Sequence, residues 1–350
     1  MAESQEQQLV LPIIDSHIHL FREADLPNHN WYDPTKPIVS GARFLPEFKE
    51  AAKSAPSLLG FVFVEVDVKH DLDAGEEGWK LPLKEVATLS RVALGEPSEE
   101  DIGVEKDDAK LCLGIVPWAP MPSGAEVLEK YIAKVKETAG EAWPKVKGFR
   151  YLVQDKPHGT MVQDKFIESL KLLGRKGLVF EVGIDHHRRG RQQLDELLAM
   201  IEKAHDGVPE EERVTFILNH LCKPDLAIYN ITSDPAFHAW RTAIYTLSTC
   251  SKTYMKLSGA FNEMPASLQT ASVSHIFQST LGWLGIILAT FGADKIMFGS
   301  DWPVCTYNEV GEDAWAKWRD VVEKMCWMAS LSDEDRAMIF GGTAKKAYGL

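Results

Sequence analysis

Eight short runs of β-branched, aromatic and other apolar residues recur along the 350-residue chain. They are Leu11–Asp15, Leu58–Val66, Leu111–Pro117, Val146–Leu152, Leu178–Ile184, Val214–Asn219, Thr253–Leu257 and Lys295–Gly299. Each run ends in polar residues and is followed by a helical pattern. Inside the runs apolar residues are nearly continuous rather than alternating, as in parallel strands covered on both faces. Asp164–Leu173, Gln192–Ala204 and Val321–Met328 space their apolar residues for one face of a helix. Eight β/α units predict an α/β fold: a single (β/α)8 TIM barrel over residues 11–350, behind a polar tail over residues 1–10. A doubly wound sheet is the competing architecture. It is disfavoured because no glycine-rich phosphate loop follows the first run.

Three segments modify this picture. Lys69–Lys110 exceeds what one crossover helix needs and contains Gly95–Asp108, which is acidic and poor in apolar residues. It is expected to be a surface insertion after strand 2 with freedom to move, not a domain linker. Ser332 with Asp335 three residues on forms a capping pattern for the last helix. Leu281–Phe291, the longest apolar stretch, is far short of the roughly 20 residues that span a bilayer, so it reads as a buried barrel helix.

Composition narrows the function classes. A net charge of −13 argues against nucleic acid or an anionic membrane as a partner. It leaves the charge inside a cleft open. Five cysteines without a C-x-x-C pair suit reduced thiols, and residues 1–8 lack the order of a signal peptide; a cytoplasmic location is expected.

Candidate chemistry gathers where the runs end, because C-terminal strand ends of a barrel converge on one mouth. The first run leads into Asp15-Ser16-His17-Ile18-His19. Alternate residues of a strand share a side, so His17 and His19 can hold one metal ion. Structural histidines are the bland alternative. Glu65 at the second exit is either half of a core ion pair or a functional carboxylate. Arg150 at the fourth can hold a carboxylate, a hydroxyl or a developing oxyanion, or form a salt bridge. His186 and His187 follow the fifth run, and one of them should face solvent. His220 at the sixth can be a ligand or a general base. Asp301 at the eighth can bind a metal and take a proton from water, or simply cap a helix. Lys256 and Ser258 flank the seventh exit and Trp302 adjoins Asp301, so Glu65, Arg150, Ser258 and Trp302 are candidate substrate contacts. The remaining histidines fall in loops or helices, and Trp315 with Trp318 has the spacing of core packing.

Together, Ile14-Asp15-Ser16-His17-Ile18-His19, Gly148-Phe149-Arg150, Asn219-His220-Leu221-Cys222-Lys223-Pro224, Lys256-Leu257-Ser258-Gly259 and Met297-Phe298-Gly299-Ser300-Asp301-Trp302-Pro303-Val304-Cys305 resemble the amidohydrolase superfamily. The likeness is to the branch that holds sugar-lactone hydrolases and metal-dependent decarboxylases, and it runs end to end. Within that branch, Gly183-Ile184-Asp185-His186-His187 is similar to fungal L-rhamnono-γ-lactonases. The resemblance implies one divalent metal ion, zinc by preference, on His17, His19, His187 and Asp301. It implies His220 and Asp301 as the groups that activate water, with Arg150 orienting the substrate. Some lactonases of this kind work without metal, so metal-free catalysis stays open. Asn219 and Cys222 stand where relatives commonly carry aspartate and glycine, which clouds the substrate. No lysine ends the fourth run to bridge a second metal. The implied activity is opening of a small-molecule sugar-acid lactone such as L-rhamnono-1,4-lactone, by a carboxylic-ester hydrolase that can be a homodimer. The alternatives are a metal-dependent decarboxylase of an aromatic or muconate acid and a non-catalytic sugar-binding barrel.

Overall fold

The computed structural model describes residues 10–35 and 41–350, and every one of the eight runs falls on a strand, the first continuing past its expected end at Asp15 to Ile18. Among the described residues these are β1 (Ile13–Ile18), β2 (Leu58–Val64), β3 (Cys112–Val116), β4 (Gly148–Arg150), β5 (Val179–Val182), β6 (Phe216–Leu218), β7 (Thr253–Leu257) and β8 (Ile296–Phe298). The tail expected over residues 1–10 lies outside the described residues except for Val10. All pairings are parallel, in two arcs ordered β1-β2-β3 and β4-β5-β6-β7-β8. Backbone hydrogen bonds join the arcs at both seams. Lys147 donates to the Ile115 carbonyl at 3.0 Å and Arg150 to that of Pro117 at 2.9 Å. On the other side His19 donates to Trp302 at 2.7 Å and Asp301 to His17 at 2.9 Å. The strands form a ring.

A helix follows each strand: α1 (Leu45–Ala51), α2 (Lys80–Leu94), α3 (Ala125–Ala139), α4 (Asp164–Arg175), α5 (Arg191–His205), α6 (Pro235–Thr249), α7 (Val273–Phe291) and α8 (Ala314–Met328). Outward residues such as Phe61, Ile115, Phe180, Phe216 and Phe298 pack in the apolar layer beneath these helices. Inward residues alternate with them. Ile14, Val62, Val116, Val179, Ile217 and Met297 make an apolar floor, completed by Ala344, Ala347 and Tyr348 of the C-terminal helix. One inward step further the character changes: Glu181 is two residues beyond Val179, and Asn219 two beyond Ile217. The apolar plug thus lies under a polar layer, and the mouth opens above it.

The C-terminal helix starts as expected, with Ser332 Oγ accepting from the Asp335 amide at 3.1 Å. It runs through a π turn at Met338–Gly342 into a further stretch, Thr343–Tyr348. Helix α7 is long and apolar enough by composition to cross a membrane. The expected buried helix is buried on one face only. Ile276, Phe277, Trp283, Leu284, Ile287 and Phe291 face the barrel, while Leu281 is 47% exposed.

The segment after β2 supplies α2 and then a surface loop, and the loop is tied down rather than free. Asp101 is buried within it and accepts from Arg91 Nε at 2.9 Å, Arg22 Nη1 at 3.3 Å and both the amide and hydroxyl of Ser98 at 2.8 Å. Lys49 Nζ holds Asp108 at 2.8 Å. The acidic composition that suggested freedom is what anchors the loop, because the arginines lie on the barrel side. Replacing one partner of such a buried pair strands the other charges. Asp101→Ala is expected to cost about 3 kcal/mol and to speed proteolysis within residues 95–108. An unchanged urea midpoint would contradict this anchoring role.

Candidate active site

His17 and His19 leave β1 on the same side, as their spacing predicts, and their Nε2 atoms are 3.2 Å apart. Asp301, delivered by β8 across the seam, places Oδ1 3.6 Å from His17 Nε2 and 3.4 Å from His19 Nε2. His220 from β6 brings Nε2 to 3.8 Å from the same oxygen. All four residues are buried.

The backbone reaches this arrangement under strain. Asp301 has φ of 62°, and His220, Leu221, Cys222 and Lys223 have φ of 55°, 55°, 59° and 44°. Four consecutive non-glycine residues in the left-handed region are rare, at about 1–2 kcal/mol each. Strain of this kind persists where surrounding structure over-determines it, often at functional sites. Two glycines make room for the rings: a Cβ on Gly259 would lie 2.5 Å from His220 Nδ1, and one on Gly299 3.1 Å from His17 Cβ.

Hydrogen bonds fix where the lone pairs lie. His19 Nδ1–H donates to the Val64 carbonyl at 2.8 Å, so its Nε2 lone pair faces the site. His220 Nδ1 meets Ser258 Oγ at 2.9 Å. With Nδ1–H donating there, Nε2 carries the lone pair toward Asp301. His17 Nδ1 faces Lys256 Nζ at 3.1 Å.

Burial pushes His17 well below the usual imidazole range, with Lys256 and His220 adding to the effect. Burial takes His220 down to about 3 despite the opposing Asp301 carboxylate. For Asp301 burial acts upward, but His220, His19 and Lys223 outweigh it and hold the carboxyl below its ordinary value. Burial lowers the Lys256 ammonium to about 8 against the pull of Glu181. Neutral imidazoles beside an ionised carboxylate are the protonation states that metal ligands require.

A tetrahedral ion with ligand bonds of 2.0–2.1 Å sets its donor atoms about 3.3–3.4 Å apart. The edges of 3.2, 3.4 and 3.6 Å between His17, His19 and Asp301 fit that triangle. The donor atoms of His17, His220 and Asp301 also lie within 4.8 Å of one another. A triangle of this kind faced by His220 would suit a divalent metal ion of the catalytic type, which keeps a position for water or substrate.

A cavity of about 300 Å³ opens above these groups. Phe21, Trp31, Val66, Leu152 and Val304 form its apolar wall, with Asp67, Arg150, Gln154, Asp155, Lys223, Asn262 and Tyr307 on the polar side. Arg150 commits Nε to Glu65 Oε1 at 2.6 Å and Nη2 to the Glu65 carbonyl at 3.0 Å. Its Nη1 is left for the cavity.

Several expected contacts are placed elsewhere. The fifth-strand ligand is a correction: β5 ends at Val182, and Asp185 then caps a one-turn helix, His186–Arg189. That helix carries His187 outward, with Nδ1 2.7 Å from Glu263 and Nε2 3.5 Å from Asp225. His187 does not join the cluster. Glu65 is fully buried, with its second oxygen taking the Asp67 amide at 2.6 Å, so it steers Arg150 rather than meeting substrate. Ser258 likewise serves His220. Trp302 is buried against Phe48 and reaches the site only through its carbonyl, bonded to His19. Buried Asn219 faces inward with no protein partner for its amide. Glu181 was missed, although an acidic residue within the apolar run Leu178-Val179-Phe180-Glu181-Val182 carries the same signal as Glu65.

A family model described as amidohydrolase matches residues 14–350. The chain belongs to the amidohydrolase family. The L-rhamnono-γ-lactonase of Scheffersomyces stipitis is 32% identical to this amidohydrolase over 97% of its chain and 98% of the relative. An L-fucono-1,5-lactonase of Burkholderia multivorans is 27% identical over 96% of each. The crystal structure of a Burkholderia multivorans amidohydrolase with bound zinc shares the fold at a TM-score of 0.69 and 23% identity, covering 97% of this chain and 99% of its own.

The lowered imidazoles make a pH prediction. Below the unperturbed histidine value of about 6.5, the unfolded chain protonates His17 and His220 while the folded, metal-free protein does not. The unfolded state then binds more protons, so stability falls as pH drops, by about 1.4 kcal/mol per unit for each histidine. With metal chelated, His220→Asn is expected to flatten the urea-midpoint slope between pH 6 and 4 by about one proton's worth. Parallel slopes would contradict the burial of a neutral His220.

Proposed function

We propose that this amidohydrolase opens a sugar-acid lactone, with L-rhamnono-1,4-lactone or a similar γ-lactone as substrate. The observation that carries the reading is the 32% identity to an L-rhamnono-γ-lactonase over nearly the whole of both chains. Support comes from a mouth that pairs neutral imidazoles with an ionised carboxylate below a cavity of about 300 Å³, the lower end of small-ligand pockets.

His220 Nε2 takes the proton of the attacking water, and Asp301, 3.8 Å away, steadies the charge that develops on the ring. Water oxygen bonds to the lactone carbonyl carbon, and the ring C–O bond then breaks. The proton on His220 passes to the departing ring oxygen, giving a hydroxyl and a carboxylic acid, which ionises to the carboxylate and releases water's second proton to solvent. Arg150 Nη1 holds the carbonyl oxygen or a neighbouring hydroxyl, kept in place by Glu65. The ion that His17, His19 and Asp301 would hold, zinc on the precedent of the Burkholderia structure, supplies Lewis acidity toward the ester carbonyl and water. Phe21, Trp31 and Val66 offer an apolar face suited to a deoxy-sugar methyl group.

Acid release from L-rhamnono-1,4-lactone, followed with a pH indicator, tests the reading against fucono- and galactono-lactones and a resorcylate-type acid. Acid from the lactones supports it. An inert metal-loaded protein, or carbon dioxide from the aromatic acid alone, overturns it. Asp301→Asn and His220→Asn are expected to lower kcat by at least about 10²-fold, and Arg150→Met by about 10²–10³-fold, with the fold retained. Gly259→Ala, which drives a Cβ into the His220 ring, is expected to cost about 10²-fold through misplacement alone. Wild-type turnover in Asp301→Asn would remove the mechanism.

A further inference from the structure

His17 differs from the other two histidines in what meets its rear nitrogen. His19 Nδ1 has one acceptor, the Val64 carbonyl, and His220 Nδ1 has Ser258. His17 Nδ1 has Lys256 Nζ at 3.1 Å and Glu181 Oε2 at 3.7 Å. These two are themselves paired at 2.8 Å, and Tyr348 of the C-terminal helix donates its hydroxyl to the other Glu181 oxygen. His17, Glu181 and Lys256 are fully buried. A donor and an acceptor thus compete for one ring nitrogen beyond the reach of solvent.

A neutral imidazole carries one N–H. When Nδ1 accepts from Lys256, that hydrogen is on Nε2 and points at the His19 Nε2 lone pair, 3.2 Å away. Lys256, His17, His19 and the Val64 carbonyl then form an unbroken donor-to-acceptor chain, and no ion is needed to complete it. When Nδ1 instead donates to Glu181, two lone pairs face each other beside the Asp301 carboxylate, and a cation reconciles them.

We propose that the buried Lys256–Glu181 pair is a tautomer selector that sets whether His17 is a metal ligand. Lys256 favours the metal-free arrangement, and Glu181 favours the ligand form. Both are positioning residues, acting through His17. Carboxylate partners behind ligating histidines are a general device for orienting them. Here the carboxylate shares its place with a competing ammonium. The inference rests on the metal site of the proposed function but not on turnover, so its test reads binding and proton position instead.

The test is ¹⁵N NMR of histidine-labelled protein with and without zinc, combined with Co²⁺ titration followed by its visible absorption. The wild-type protein is expected to show His17 as the Nε2–H tautomer without metal and as Nδ1–H with zinc. Lys256→Met is expected to bind Co²⁺ about 10–100-fold tighter, and Glu181→Gln weaker by a similar factor. Nδ1–H in the metal-free wild type, or no gain of affinity in Lys256→Met, overturns the selector. The wild-type spectra need no substitution, so the test survives a variant that fails to fold. Co²⁺ uptake with an unchanged tautomer sinks the selector alone. Absence of uptake in wild type and Lys256→Met alike sinks the metal site with it, whatever the lactone assay gives.

Discussion

Two backbone hydrogen bonds across the β8–β1 seam hold the rest of the site in register. Asp301 donates to the His17 carbonyl and His19 donates to the Trp302 carbonyl. They lock the carboxylate beside the histidine pair although the two segments are nearly the full chain apart. Because the same bonds close the ring, site geometry and barrel closure are one constraint. The apolar floor under the mouth, plugged by the C-terminal helix, keeps water from the buried Glu181–Lys256 pair and lets its charges act on His17 at short range.

Six of the seven non-glycine residues with left-handed φ among the described residues sit at the exits of β2, β6 and β8. Asp67, His220 to Lys223 and Asp301 are the residues that turn side chains into the mouth or support those that do. Such strain, at about 1–2 kcal/mol per residue, is tolerable in a barrel whose strands and helices share a large apolar core. It is spent where direction matters. Gly259 and Gly299 serve the same end by leaving space for the His220 and His17 rings.

The barrel was legible because buried parallel strands leave continuous apolar runs; seven runs enclosed their strands, and the first stopped short because β1 continues through the polar residues Ser16 and His17. His17, His19, His220, Asp301 and Arg150 were legible because they stand at strand exits in a recognisable order. His187 misled because two residues of turn and a capped helix intervene after β5, and neither strand periodicity nor motif resemblance reports the direction of a helix. Ser258, Glu65 and Trp302 were correctly placed near the mouth, but sequence does not distinguish a residue that touches the cavity from one that holds its neighbour. Glu181 was obscured by the apolar strand around it. The surface loop was misjudged because its acidic side chains pair with Arg22 and Arg91, which are remote or helical in sequence.

The central claim is that His17, His19 and Asp301 form one ligand triangle at the barrel mouth. Anomalous diffraction at the zinc edge from crystals of the zinc-loaded protein tests it most directly. The account predicts one strong peak within about 2.0–2.2 Å of His17 Nε2, His19 Nε2 and an Asp301 oxygen, with His220 facing its open side. A sole peak at His187 with Asp225 and Glu263, or an Asp301 carboxylate turned from the histidines, would contradict it.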